Sequence, residues 1–337
     1  MTAAAKAVSP EARPIELLVA GDAVPDLVLG DIAGEIAFGQ GSNMVERGVL
    51  TVGGSSAIMA CGAARLGLRV AFVGVFADDA AGRFMLEELK GRGIDVSACV
   101  VLPRRTTAVC VHLVRPGAER DRAMISWRGC DQDLTAAMVR RALGGSVRHV
   151  HVGSFYLLPK LAPSLARLFS DARAAGCTTS LDPQGDPEGR WQMGLREVLR
   201  ETDIFLPNQN EALAVAASAG AAPSGVVNER VLETLAALGP LPVVKCGAEG
   251  ALSHRGKSVV RAGAIRTVPI DTIGAGDSFD AGFVYGHMQG WQLDSTLAFA
   301  VACGSLSTRA AGGIKAQASV TEALATSTDT KVVSQSV

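Results

Sequence analysis

The chain of 337 residues is long enough for one large α/β domain or two ordinary ones, and 48% of its residues are hydrophobic, which is ample for a sizeable core. Its 32 basic residues are balanced by 33 acidic ones and only 4% of residues are aromatic, so neither nucleic acid nor a membrane surface is indicated as a partner. The seven cysteines are scattered without a CxxC pair, which disfavours a disulfide framework or a zinc site.

The two ends of the chain differ in composition from its middle. Residues 1–14 are rich in Ala and Pro and lack the apolar stretch of a signal peptide, so we expect a disordered tail there. Residues 321–337 are predicted to form a polar tail. No run reaches the ~18 apolar residues that a membrane-spanning helix needs. One domain over residues 15–320 of a soluble, cytoplasmic protein is therefore expected.

Short apolar runs alternate with segments of helical periodicity between these tails. Strands are predicted at residues 15–21, 69–75, 147–153, 177–182, 203–207 and 241–247, and helices at 55–67, 80–93, 161–176 and 210–220. Strands that alternate with helices are typical of parallel βαβ units. The fold class predicted from this pattern is α/β, with a layered sheet.

Two segments interrupt this alternation. Residues 26–50 and 104–128 alternate between apolar and polar with a period of two and contain glycines, which is typical of antiparallel strands. Strands inserted in this way can leave the main sheet and form a small lid.

The stretch "DTIGAGDSFDAGF", residues 271–283, follows a strand-like segment and runs into a helical pattern. Gly274, Ala275 and Gly276 are therefore expected where a helix begins. Free backbone N–H groups and the positive end of the helix dipole lie at such a point, and the small side chains let an anion approach. A tight structural connection is the alternative interpretation.

Two aspartates flank this turn. Asp277 would repel a bound phosphate unless it takes part in the reaction, and the role we infer is a general base for an attacking hydroxyl. Because the helix dipole favours the ionised carboxylate, we expect Asp277 to act through its position more than through a raised pKa. Asp271 lies at the strand end, where it either binds a cation or pins the turn.

This stretch closely resembles the C-terminal signature of ribokinase-like (PfkB-type) carbohydrate kinases, written DTxGAGDxF. Four further segments resemble family motifs in family order: "GGSSAIMACGAARLG" (53–67), "PNQNE" (207–211), "VVKCGAEGA" (243–251) and "STRAAGG" (307–313). The resemblance spans residues 17 to about 318. It implies a Rossmann-like three-layer α/β/α sandwich with a β-sheet lid that closes over a sugar, with ATP and Mg²⁺ as cofactors.

The resemblance also implies roles for single residues on the sugar side. Asp277 matches the catalytic base, and residues 274–276 match the anion hole. Asp26 matches an aspartate that holds sugar hydroxyls. Gly53 and Gly54 match a pair that lets the sugar lie close to the backbone.

On the nucleotide side, the residues singled out are Asn208, Lys245, Gly247 and Gly250. Glu211 matches a residue near the magnesium water shell, although Asn208 and Glu211 also have the spacing of a helix capping box. Lys245 either meets a phosphate or is a partly exposed strand lysine. Asp271 and the Ile273 carbonyl match the loop that binds a monovalent cation such as K⁺ in many members.

Three positions depart from the family pattern. Val24 and Ile58 stand where many members have Asn, so polar groups are missing near the expected sugar, and Gln184 lies in a segment to which no role is assigned. The leading interpretation is an ATP-dependent kinase that phosphorylates a hydroxyl, the primary one, of a small sugar such as ribose or fructose. A nucleoside kinase of the same fold and a non-catalytic sugar sensor are the alternatives. The resemblance also implies a homodimer that forms through the lid.

Overall fold

The computed structural model describes residues 15–336 apart from 33, 37, 116–121, 145, 146, 223, 224 and 257, so the tail predicted at residues 1–14 lies outside the described part. The strands are β1 (Leu17–Ala20), β2 (Val24–Gly30), β3 (Arg47–Gly53), β4 (Val70–Val73), β5 (Val75–Ala77), β6 (Val100–Leu102), β7 (Val109–Val114), β8 (Arg122–Trp127), β9 (His149–Val152), β10 (Thr178–Leu181), β11 (Ile204–Phe205), β12 (Leu241–Lys245), β13 (Ala251–Arg255), β14 (Ser258–Ala262) and β15 (Val332–Ser336). The helices are α1 (Ser55–Arg65), α2 (Ala80–Gly91), α3 (Ala136–Ala142), α4 (Ala162–Ala174), α5 (Leu195–Arg200), α6 (Gln209–Ser218), α7 (Glu229–Ala236), α8 (Ala275–Met288), α9 (Leu293–Ser307) and α10 (Val320–Ser327).

A nine-stranded sheet runs through the molecule in the order β15-β14-β13-β12-β11-β10-β9-β1-β4. The strands from β12 to β4 in this order are parallel to one another. The remaining strands, β13 to β15, pair antiparallel. Parallel strands bring their carboxyl ends to one edge of the sheet, and the loops that follow them are where α/β proteins place their sites.

Helices cover both faces of this sheet. Leu17 and Val19 of β1 belong to one buried core together with residues of α1, α8 and α9. Leu18, the alternate residue of the same strand, belongs to a second core together with residues of α4 and α7. Successive side chains of a strand point to opposite faces, so the two cores make three layers and confirm the predicted α/β/α class.

A separate four-stranded sheet has the order β3-β2-β7-β8. Both inserted segments contribute to it, because β2 pairs with β3 antiparallel and with β7 parallel. The register places Asp26 opposite Cys110, and Cys110 opposite Ser126 of β8. We call these four strands the lid sheet.

The C-terminal segment differs from the polar tail predicted at residues 321–337. It forms most of α10, which begins in a capping box between Ser319 and Glu322, and then β15, which pairs with β14 along the edge of the main sheet. Val332 packs against the first core, and the ladder with β14 satisfies the backbone of a segment whose side chains are mostly polar. No helix in the described part of the chain is long and apolar enough to cross a membrane.

Candidate active site

The start of α8 is shaped by a glycine at which any side chain would be strained. Gly274 adopts a left-handed conformation with φ of 73°. A Cβ there would lie 2.6 Å from the Gly313 Cα and 2.9 Å from the Ile58 Cγ2. By contrast, a Cβ on Gly276 would meet nothing closer than the Lys245 Nζ at 3.6 Å. The turn is therefore fixed at Gly274, while Gly276 leaves room for an anion beside the first N–H groups of the helix.

Asp277 lies in the first turn of α8 and is partly buried. Its Oδ1 accepts a hydrogen bond of 2.7 Å from the Ser55 hydroxyl at the start of α1. This bond joins the two segments that resemble the N-terminal and C-terminal family signatures. Burial, and then the charge of Asp182, raise the pKa of Asp277 to about 7, although the Ser55 bond opposes the rise. Asp277 was expected to act through its position more than through a raised pKa, but its pKa is raised, and burial is the largest cause.

A buried ion-pair cluster lies next to Asp277 and consists of Asp182, Lys245 and Asp280. The Lys245 Nζ is 2.9 Å from the Asp182 Oδ2, and 3.1 and 2.9 Å from the Asp280 Oδ1 and Oδ2. Carboxylate oxygens of Asp182, Asp277 and Asp280 lie within 4.8 Å of one another. We call the three ion-paired residues the carboxylate–lysine cluster.

The members of this cluster influence one another's ionisation. Although burial opposes it, the Lys245 charge lowers the pKa of Asp182. Burial raises the pKa of Asp280 well above its usual value, although the Lys245 charge opposes the rise; the Asp182 charge adds to it. Although burial opposes it here too, the two aspartates raise the pKa of Lys245, so its ammonium stays protonated.

Asp182 and Asp280 were not among the site residues predicted from the sequence. For Asp280 there was a signal, since it follows Asp277 by three residues and so shares a face of the helix. Asp182 lies two residues before Gln184, in the segment to which no role was assigned. The Gln184 N–H in fact donates to the Asp182 carboxylate at 2.9 Å.

A cavity of about 730 Å³ borders the cluster and the start of α8. The predicted nucleotide-side residues Lys245, Gly247 and Gly250 line it together with Ala275 and Gly276. Gly250 is required by the backbone, because its φ is 91° and a Cβ would lie 2.0 Å from the Ala262 carbonyl oxygen. The cavity therefore joins the predicted nucleotide turn to the predicted anion hole.

Asn208 and Glu211 form a capping box at the start of α6. The Asn208 Oδ1 accepts from the Glu211 N–H at 3.0 Å, and the Glu211 Oε2 accepts from the Asn208 N–H at 2.8 Å. Glu211 is 5% exposed, and burial followed by the charge of Asp182 raises its pKa to about 7. The structural interpretation of this pair is thus observed, and it commits one of the two Glu211 oxygens.

Asp271 pins the turn before α8. Its Oδ1 accepts from the Ile273 N–H and its Oδ2 from the Gly312 N–H, both at 2.9 Å. Of the two roles considered for this carboxylate, the hydrogen bonds that hold the turn against residues 312–313 are the one observed.

The predicted sugar side is built around Asp26 on β2. Asp26 is 3% exposed, and its Oδ2 lies 3.1 Å from the His112 Nε2. Despite burial, hydrogen bonding to this aspartate raises the pKa of His112 to about 9, while burial raises the pKa of Asp26 itself. A Cβ on Gly53 would lie 2.0 Å from the Asp26 Cγ, so the glycine makes room for the carboxylate.

The second glycine of the pair serves a neighbouring aspartate. Gly54 has φ of 85°, and a Cβ there would lie 2.9 Å from the Asp22 carbonyl oxygen. The Asp22 carboxylate accepts from the Ser55 and Ser56 N–H groups at 3.2 and 3.0 Å. Sequence reasoning missed Asp22 and His112, and only the pairing of distant strands places them here.

Comparisons with known proteins agree along most of the chain. A model of the family described as pfkB family carbohydrate kinase matches residues 17–319. A fructokinase of Rhizobium leguminosarum bv. trifolii is 28% identical over 231 residues, which make up 65% of this chain and 66% of the fructokinase. The Arabidopsis thaliana ribokinase complexed with ribose and ATP has a TM-score of 0.75 at 22% identity, covering 93% of this chain and 99% of that one. A Vibrio cholerae fructokinase bound to fructose, ADP and calcium ion has a TM-score of 0.74 at 25% identity, covering 93% and 98%.

Proposed function

Because the chain belongs to the pfkB family of carbohydrate kinases, we propose that it transfers the γ-phosphoryl group of ATP to a primary hydroxyl of a small sugar such as ribose or fructose. The observation that carries this proposal is the position of Asp277. Its carboxylate, with a pKa near 7, follows residues 274–276 at the helix start, and Ala275 and Gly276 line the large cavity. A base and a set of N–H donors at one helix terminus suit phosphoryl transfer, in which positioning and charge stabilisation supply most of the acceleration.

In this mechanism Asp277 accepts the proton of the attacking hydroxyl, while the N–H groups of residues 274–276 stabilise charge on the transferring group. The Ser55 hydroxyl orients the Asp277 carboxylate through its 2.7 Å bond. On the sugar side Asp26 accepts hydrogen bonds from hydroxyls of the substrate. Gly53 and Gly54 let the sugar approach the backbone. Closure of the lid sheet excludes water, which would otherwise accept the phosphoryl group.

On the nucleotide side, Gly247 and Gly250 shape the turn against which ATP binds, and Asn208 lies near its phosphates. Mg²⁺ bound with ATP supplies neutralisation of phosphate charge. Glu211 fits it through water, because the cap uses only its Oε2 and Mg²⁺ keeps several waters. Asp271 with the Ile273 carbonyl is the proposed site for K⁺, since its oxygens keep lone pairs beyond the two N–H bonds.

Two proposals concern the protein as a whole. We place it in the cytoplasm, where ATP is available and where its seven free cysteines stay reduced. We also propose a homodimer that forms through the lid sheet. The proposed partners are thus a small sugar and a second copy of the chain, with neither nucleic acid nor membrane.

The test is ATP-dependent product formation across a panel of sugars and nucleosides. Turnover of one free sugar that is lost in Asp277→Asn is the expected result. Asp294→Asn, at an exposed position of α9, serves as the matched control and should turn over like the wild type. Turnover of nucleosides alone would replace the sugar by a nucleoside, and sugar binding without any ATP turnover would leave a sensor.

A further inference from the structure

The Lys245 ammonium lies between the carboxylate–lysine cluster and the cavity. On one side its ammonium contacts both carboxylates of the carboxylate–lysine cluster at 2.9–3.1 Å. On the other side it lines the cavity with Gly276, whose Cβ position is 3.6 Å from the Nζ. An anion held by the N–H groups at Gly276 would therefore lie within reach of this ammonium.

The two aspartates leave Lys245 little freedom. The side chains of Asp182 and Asp280 are 4% and 1% exposed, and that of Lys245 is 11% exposed. Lysine is a flexible point charge that loses rotamer entropy when it is fixed, so a lysine held by two buried acceptors is positioned before any ligand arrives.

The geometry points to a role for the acceptors themselves. We propose that Asp280, together with Asp182, is a positioning residue that fixes the Lys245 ammonium beside Gly276, at the phosphate end of the cavity. Asp280 then acts on nucleotide binding only through Lys245. This inference rests on the proposed function, because it takes the ligand of the cavity to be a nucleoside triphosphate.

The negative charges around Lys245 explain why its ammonium must be held in position. The Asp182 carboxylate, whose pKa is lowered, lies within 4.8 Å of oxygens of Asp277 and Asp280, and a triphosphate brings further negative charge to the same place. Like charges at short range in a partly buried site repel strongly. A lysine that is fixed between these carboxylates and the phosphates offsets their repulsion of the terminal phosphate. ADP lacks this phosphate, so it should depend less on Lys245.

The test is a double-mutant cycle read out by calorimetric binding, with Mg²⁺ present, of the non-hydrolysable ATP analogue AMP-PNP and of ADP. Lys245→Met should weaken AMP-PNP binding by about tenfold, the loss of one charge-assisted contact, and ADP binding by less than about threefold. Asp280→Asn should show the same pattern with a smaller loss. In the Lys245→Met background, Asp280→Asn should change neither affinity further.

Stability provides the folding control. Removing Lys245 alone leaves buried carboxylates without a partner, so the double variant should melt at or above the temperature of Lys245→Met. If Lys245→Met does not fold, the double variant replaces it and is compared with Asp280→Asn alone. Phe283→Leu, a buried change on the same helix, should affect both nucleotides equally.

Two results would overturn the inference. One is a loss of AMP-PNP affinity from Asp280→Asn that persists without Lys245, and the other is equal weakening of ADP and AMP-PNP by Lys245→Met. Binding requires no turnover, so the two proposals fail separately. If no sugar or nucleoside is phosphorylated while the binding cycle behaves as expected, the proposed function fails and the role of Asp280 stands.

Discussion

The ionisation of Asp277 links burial to the pH at which the protein should work. A general base accepts a proton only as the carboxylate, and its pKa is raised to about 7. The value of kcat/KM should therefore fall as pH drops below about 7, since this parameter reports the free enzyme. Ser55→Ala removes a hydrogen bond that stabilises the carboxylate, so it should move this acid limb to higher pH.

Initial rates from pH 5 to 9 with the identified sugar measure both effects. Ser327→Ala, whose exposed hydroxyl donates to a carbonyl of α10, is the control and should leave the limb in place. An acid limb that does not move in Ser55→Ala would separate Ser55 from the ionisation of Asp277.

Gly53 offers a second prediction at the same scale. A Cβ there would lie 2.0–2.3 Å from the atoms of the Asp26 carboxylate, so Gly53→Ala must displace that group. We expect the KM for the sugar to rise at least about tenfold, the effect of losing one hydrogen bond to a charged acceptor, with the affinity for ADP unchanged. Gly91→Ala, at a helix position with open space, is the control and should leave the KM unchanged. An unaltered KM in Gly53→Ala would exclude Asp26 from sugar binding.

Local sequence patterns predict some of these features and miss others for a physical reason. The turn at residues 274–276 can be predicted from the sequence because its glycines, its helix and Asp277 are adjacent in the chain. The contact between Lys245 and Asp280 joins residues 35 apart, and the bond between Ser55 and Asp277 joins residues 222 apart. Burial that arises from such contacts raised the pKa of Asp277, which the helix dipole alone would have lowered.

At the scale of elements, alternation of strands and helices was sufficient to predict the layered sheet, because periodicity is a property of each segment alone. The strand β15 was missed because its pairing with β14 depends on the rest of the fold. The lid sheet was predicted only in part. The alternation of apolar and polar residues in its sequence predicted the strands. The register that places His112 beside Asp26 depends on the tertiary fold.

The prediction of a dimer is based on the outer face of the lid sheet. The register aligns Leu50, Leu27, Val111 and Ile125 in one apolar row, on the face opposite to Asp26. Leu50 is 56% exposed, Ile125 61% and Trp127 64%. A contiguous exposed apolar surface is typical of an interaction site, and a second copy in the proposed dimer would bury the same row on both partners.

Ile125→Glu should therefore convert a dimer into a monomer in sedimentation experiments at micromolar concentration. The control is Leu324→Glu, which places the same charge on an exposed apolar position of α10, 44% exposed. It should leave the dimer intact. A wild-type protein that sediments as a monomer throughout this range would contradict the proposal.

At the scale of the whole molecule, the central sheet contains two histidines that are neutral in the folded protein. His149 and His151 alternate on β9 and are fully buried, and both contact the Ser180 hydroxyl, at 2.7 and 2.8 Å. Burial lowers the pKa of His151 from 6.5 to about 4. The unfolded chain takes up this proton first, so the stability that neutral His151 contributes is complete above pH 6.5 and is lost as pH falls toward 4.

The pH dependence of total stability mixes this effect with opposite ones. The carboxyls of Asp277 and Glu211 have raised pKa values, so they favour the folded state as pH falls from 7 to 4.5. Comparison with a His151→Leu variant cancels these shared contributions. The difference in free energy of unfolding between wild type and variant should shrink by on the order of 3 kcal/mol between pH 7 and pH 4, at about 1.4 kcal/mol for each pH unit of the shift.

Urea unfolding at several pH values measures this difference. Val150→Ala removes core volume from the same strand without a titrating group, so its cost should not change with pH. A difference for His151→Leu that is equally constant would mean that His151 protonates in the folded protein as readily as in the unfolded chain. That result would contradict burial of neutral His151 as the source of a pH-dependent stability.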